Sequence, residues 1–284
     1  MEMTPMKCSR FAVLCIAVAL LAADTVPQSD RFVRKEAGQS RRDNGLKMLV
    51  VWCPPGRVVP DGESQGIEVS AGFWMGRHEV KQVEWQKIMG SEPWIGMPRV
   101  VTGDNVVATY VSCNDAVEFC RKLTTLERDA GRLPEGWEYV LPSEAQWEYA
   151  CRAGSTTIFS FGDDEAMLGE YAWFSRGRQS TQPGYARTKG ESPLCIGQKK
   201  PNAWKLYDMH GNVWEWCRDG YVDPQPRGRD PETAANDVGH VIRGGSWWNA
   251  ALECRTERRD RQRADHRDYS LGFRVALVRS SPSK

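Results

Sequence analysis

Apolar residues fall in short runs along this chain, and only a few runs repeat with a helical or strand period. Phe11 to Leu21 is a continuous apolar stretch behind Lys7 and Arg10. It is too short to span a bilayer and has the length of a signal-peptide core. Met48 to Cys53 (MLVVWC) is a compact strand candidate, closed by Pro54, Pro55 and Gly56. From Glu79 to Gly90 the spacing of Val80, Trp85, Ile88 and Met89 predicts a short helix with Gly90 as its C-cap. A longer helix begins near Asn114, with Ala116, Val117, Cys120, Leu123 and Leu126 on its apolar face and Gly131 beyond its end. Ser143 and Gln146 form a capping-box pattern ahead of Trp147 to Gly154, where Trp147, Ala150 and Cys151 are expected to face the core. After Gly154 helical periodicity fades into Gly, Pro, Asp and Asn, with short aromatic strands such as Thr157 to Phe161 (TIFSF). So much loop needs anchors in a compact domain, and buried aromatics supply them.

Composition adds boundaries. The chain has 284 residues, 40% hydrophobic and 26% charged, the profile of a globular protein. Its 38 basic and 37 acidic residues leave a weak field, which gives no reason to expect nucleic acid or an anionic membrane as partner. The reading is a signal peptide over 1–23, a flexible polar leader over 24–45 and one domain over 46–284, exported to the periplasm or secreted. Removal of the signal takes Cys8 and Cys15 and leaves Cys53, Cys113, Cys120, Cys151, Cys195, Cys217 and Cys254. That odd set contains no CxxC, and His78, His210, His240 and His266 show no zinc spacing with it.

The last third holds the densest motifs. PNAWKLYDMHGNVWEWC (Pro201 to Cys217) is followed by VIRGGSWWNAALEC (Val241 to Cys254) and LGFRVAL (Leu271 to Leu277). Upstream lie GFWMGRHEVKQVEWQKIMG, YVSCNDAVEFCRKL and YVLPSEAQWEYACRAG. In order and spacing these blocks resemble the formylglycine-generating enzyme, or sulfatase-modifying factor, family over about residues 47–279. The resemblance implies an α+β fold related to C-type lectins, low in regular structure, with a mixed sheet core, a few short helices and long tryptophan-pinned loops.

It also implies sites. In the family the DMHGNVWEW block wraps calcium; the matching positions are the carboxylates of Asp208 and Glu215 and the carbonyls of Gly211 and Val213. A hard cation wants such oxygens, although Gly211 and Asn212 would equally make an ion-free turn capped by Asp208. Catalytic family members use two cysteines, which can hold copper(I) between soft sulfur ligands. Counting from Ser246, the first falls on Cys254, and the second is expected five residues on, at Arg259. One thiolate beside an arginine makes a poor copper site. Six arginines lie between Cys254 and Asp268 among four acids. They read as a self-paired solvated face or, alternatively, as an anion cleft that lowers the Cys254 thiol pKa.

The implied function is an exported sulfatase-modifying-factor-like protein without formylglycine synthesis, acting as a binding or accessory module for an unidentified ligand. The alternative is an oxygen-dependent oxidoreductase that converts a cysteine of sulfatase peptides to formylglycine, its missing sulfur supplied by Cys217 or Cys113. A related iron-dependent sulfoxide synthase is disfavoured, because the four scattered histidines offer no ligand set.

Overall fold

The computed structural model describes residues 32–34, 36–175 and 194–280. The expected signal peptide, 1–23, lies outside them. Strands and helices in chain order are β1 (Ser40–Arg41), β2 (Val50–Cys53), β3 (Gly56–Val58), β4 (Ile67–Val69), β5 (Phe73–Gly76), α1 (Gln82–Met89), α2 (Cys113–Asp129), β6 (Trp137–Val140), α3 (Glu144–Arg152) and α4 (Leu168–Tyr171). They continue with β7 (Trp214–Gly220), β8 (Gly228–Arg229), β9 (His240–Arg243), β10 (Arg259–Gln262), β11 (Leu271–Gly272) and β12 (Ala276–Arg279). No described helix is long and apolar enough to cross a membrane.

Three sheets result. The first, ordered β1-β2-β5-β12-β6, is antiparallel throughout and receives the late strand β12 between β5 and β6. The second runs β10-β9-β7-β11, with β11 parallel to β7, and the third runs β3-β4-β8. Every side chain of β2 and β5 is buried, because the first sheet is covered on both faces. Trp52 and Trp74 sit opposite each other in the register, their rings 5.3 Å apart and edge-on. Of the twelve tryptophans, Trp52, Trp74, Trp85, Trp94, Trp137, Trp147, Trp173 and Trp216 are fully buried. At about 3–5 kcal/mol for truncation of such a ring, these residues are what pins the loops. The mixed sheets and short helices give the α+β, lectin-related fold that the motifs implied.

The predicted helices form where their caps stand. Gly90 closes α1 in the left-handed region and returns its N–H to Gln86. Ser112 and Asp115 make a reciprocal box on α2, as Ser143 and Gln146 do on α3. The face of α2 is rotated from the expected one. Ala116, Phe119, Cys120 and Leu123 are buried, whereas Val117 and Leu126 are exposed. Phe119 draws the helix round by stacking on Trp85 of α1, and Thr124 joins the buried face by accepting from Tyr139 N–H of β6. Thr157 to Phe161 is not a strand and makes only a single bridge, Phe159 to Gly162. The described residues of the expected leader belong to the fold: β1 pairs with β2, Phe32 packs on Trp137, and Trp74 donates its indole N–H to the Phe32 carbonyl.

Candidate functional site

The loop after β9 carries Cys254. Gly244 and Gly245 take positive φ, and Ser246, Trp247, Trp248 and Asn249 lead into a single 3-10 turn, Ala251–Cys254. The Ser246 hydroxyl and the Trp214 indole N–H both donate to Asn249 Oδ1. Trp214 thereby joins Trp247 and Trp248 around this loop, while Trp204 lies apart, edge-on to Tyr149.

Cys254 is 0% exposed. It packs with Phe159, Leu168, Ala172, Phe174 and Ala251, a cluster that holds no second cysteine. Burial pushes its thiol well above the ordinary range, and the acids Glu253 and Glu165 push the same way. The alternative reading, in which neighbouring arginines lower this thiol's pKa, is therefore not supported: the charges that reach it are negative. Its carbonyl accepts from His210 Nδ1 at 2.9 Å, while His210 Nε2 accepts from Ser160 N–H at 3.1 Å. Because Ser160 donates to Nε2, the ring proton sits on Nδ1, and burial holds the imidazole neutral with a pKa of about 4. Cys151 Sγ lies 3.9 Å from the same Nε2.

Arg259 points to other partners. It makes a bidentate pair with Glu144 at 2.7 Å on both arms, donates to the Val222 carbonyl and lies over the Tyr221 ring. Neither Tyr221 nor Val222 belongs to the apolar cluster that holds Cys254. Three more arginines of the run are paired, Arg258 with Glu253, Arg263 with Asp265 and, across the fold, Arg267 with Asp115, while Arg261 lies over the Tyr221 ring. The self-paired face is what forms. Behind it Arg243 is wholly buried on Glu148, which also holds Arg152 at 2.9 Å and Arg227 at 3.3 Å. Burial alone would raise the Glu148 carboxyl, but the three guanidinium groups outweigh it and hold the pKa below the usual value.

The DMHGNVWEW turn brings together more carboxylates than expected. Asp208 Oδ2 accepts from Gly197 N–H at 2.7 Å, and its buried Oδ1 has no hydrogen-bond partner. Glu215 is engaged on both oxygens, by Arg274 at 2.6 and 2.7 Å and by the Trp147 indole at 2.9 Å. A third acid, Glu79, accepts from Asn212 Nδ2 at 2.9 Å, and its Oε2 is also buried without a partner. Gly211 is required, since a Cβ there would stand 2.2 Å from the Trp173 carbonyl oxygen. Burial raises Asp208 to about 6, with the Glu215 charge adding to it, and carries Glu79 well above the carboxylate range, with the Asp208 charge adding to that. Among the described residues no group of three or more His, Cys, Asp or Glu side chains forms a metal nest. The donor set is thus divided: Asp208 has an oxygen to offer a cation, and Glu215 is already neutralised by Arg274. Glu79 carried no signal in the sequence, because its only mark is burial beside residues 130 positions away.

The chain is similar to known proteins. A formylglycine-generating enzyme of Streptomyces coelicolor is 30% identical over 231 residues, covering 77% of this chain and 65% of that enzyme. A mouse protein named inactive C-alpha-formylglycine-generating enzyme 2 is 30% identical over 184 residues, 62% of this chain and 50% of its own. The chain therefore spans half to about two-thirds of the length of these relatives. Among solved structures, PvdO from Pseudomonas aeruginosa superposes with a TM-score of 0.68 at 25% identity, over 86% of this chain and 99% of that one. Residues 22–279 match the sulfatase-modifying factor enzyme 1-like domain, and the chain belongs to that family.

Proposed function

We propose that this chain is an exported family member that binds a partner instead of synthesising formylglycine. The observation that carries the reading is the environment of Cys254: fully buried, apolar, raised in pKa and without a second cysteine in its cluster. Copper(I) is held by thiolates, and a lone thiol that burial keeps protonated is a poor ligand and a poor nucleophile. A relative whose name marks it as inactive supports the same reading. The test is incubation of the purified, copper-loaded chain in air with a peptide containing Cys-x-Pro-x-Arg, followed by mass spectrometry. No aldehyde is expected; turnover that disappears in Cys254→Ser would overturn the proposal.

The competing reading, an oxidoreductase acting on sulfatase cysteines, is favoured by the complete set of ordered blocks and by the Streptomyces relative. The same experiment decides it. Calcium binding is proposed at the Asp208 side of the turn, with the Gly211 and Val213 carbonyls, because Asp208 Oδ1 is a buried oxygen left unsatisfied there, as is Glu79 Oε2. A chelator should then lower the melting temperature, and Asp208→Asn should abolish that response. Export is proposed from the Phe11 to Leu21 run, and N-terminal sequencing of the secreted protein checks it.

A further inference from the structure

Trp247, Trp248 and Tyr269 form a cluster of crossed rings, with centroids 5.4, 5.8 and 6.2 Å apart. Arg99 reaches this cluster from the segment after α1. Its guanidinium carbon lies 4.4 Å from the Trp248 ring centroid and 4.6 Å from that of Tyr269. Among the described residues no carboxylate pairs with Arg99, in contrast to the arginines of the Cys254 to Asp268 run, which are largely paired. A guanidinium held by ring contacts keeps its N–H edge available, and that fork matches a carboxylate.

The chain segments that supply Trp248 and Arg99 expose apolar side chains. Trp248 is 53% exposed, and the segment that supplies Arg99 also exposes Ile95, Met97 and Val101 at 59, 44 and 38%. These are four of the ten large hydrophobic side chains exposed among the described residues, drawn from two short stretches of chain. A concentration of this kind marks an interaction surface, and an exposed tryptophan beside an arginine is the pairing that dominates binding energy at such surfaces. Aliphatic side chains offer nothing to a sugar's hydroxyls, so a peptide fits better than a saccharide.

We infer that the Arg99, Trp248 and Tyr269 surface binds an extended peptide segment of a partner protein in which apolar side chains flank a carboxylate. The inference rests on the reading of this chain as a binding module and names its partner's chemistry. Arg99 selects against the arginine-bearing peptide expected of a sulfatase substrate, so this partner is distinct from that substrate.

The experiment pans a phage library of random dodecapeptides on the intact chain, on Trp248→Ala and on Arg99→Glu, and measures selected synthetic peptides by fluorescence anisotropy. Trp248 is exposed, so its truncation should leave circular dichroism and melting temperature unchanged. Peptides combining Asp or Glu with apolar residues should be enriched on the intact chain. Their affinity should fall at least tenfold with Trp248→Ala and with Arg99→Glu, and panning on Arg99→Glu should select basic residues instead. No enrichment, enrichment without acidic residues, or equal binding to Trp248→Ala overturns the inference. So does concentration-dependent dimerisation abolished by Trp248→Ala, because the occupant is then a second copy. Aldehyde formation by the copper-loaded chain would end the binding-module reading while leaving the panning result intact, so the two failures are separable.

Discussion

Gly245 sets the position of Cys254. Its φ of +74° lies in the left-handed region, and a Cβ there would stand 2.7 Å from the Glu253 carbonyl oxygen and 2.9 Å from Cys254 Sγ. An alanine must both occupy a disfavoured backbone region and displace the 3-10 turn, at a combined cost of about 2–4 kcal/mol. Gly245→Ala should therefore lower the urea midpoint and open Cys254 to maleimide under native conditions, where the parent thiol stays unlabelled. Unchanged stability and labelling would mean that the turn does not confine the cysteine. Arg259 tests the same site from the other side. Because its side chain is directed to Glu144 and Tyr221, Arg259→Cys should raise the seven described free thiols to eight without forming a bridge to Cys254. A disulfide between 254 and 259 after mild oxidation, found by peptide mapping, would contradict that geometry. The place of Cys254 after the Gly-Gly-Ser block was legible in the sequence. Its surroundings were not, since Phe159 and Leu168 arrive from some ninety residues away and no local pattern announces them.

Elements were legible to the extent that their signals are local. Each of the three predicted helices carries its own cap residues within one turn of its end, and each forms near its expected boundary. The strands of the second sheet were not legible, because β7 buries Glu215 and Asp219 and β9 buries Arg243, which erases alternation between polar and apolar positions. Those charges are the reason the sheet can be placed against α3. Arg243 donates to Glu148 at 2.7 Å and to the carbonyls of Thr256, Glu257 and Arg258, tying β9, α3 and the segment before β10 together. Replacing one member of such a buried pair strands the other. Arg243→Met should cost about 3–5 kcal/mol, and Arg243→Met with Glu148→Gln should cost less than the sum of the two single changes. Strict additivity in a double-mutant cycle would show that Glu148 is adequately held by Arg152 and Arg227 alone.

At the scale of the molecule, buried ionisable groups pull stability in opposite directions as acid is added. His210 is neutral in the fold, with a pKa lowered from 6.5 to about 4 by burial. The unfolded chain takes up that proton first, so the contribution of His210 is fully present above about pH 6.5 and is lost as pH falls toward 4. Asp208 and Asp219 are both raised to about 6 by burial, and for them the folded chain protonates first. Their contribution therefore grows as pH falls from about 6 toward 4 and offsets part of the loss. The parent protein should show a shallow dependence on pH that conceals both slopes. His210→Gln removes one of them while leaving an amide to meet the Cys254 carbonyl or the Ser160 N–H. Relative to the parent, the variant should gain about 2–3 kcal/mol between pH 7 and pH 4.5 in chelator-containing buffer, whatever its absolute stability. Urea unfolding at several pH values reads this difference directly. A constant offset between the two proteins across that range would place the His210 pKa near its ordinary value and show that the imidazole is not shut away from water.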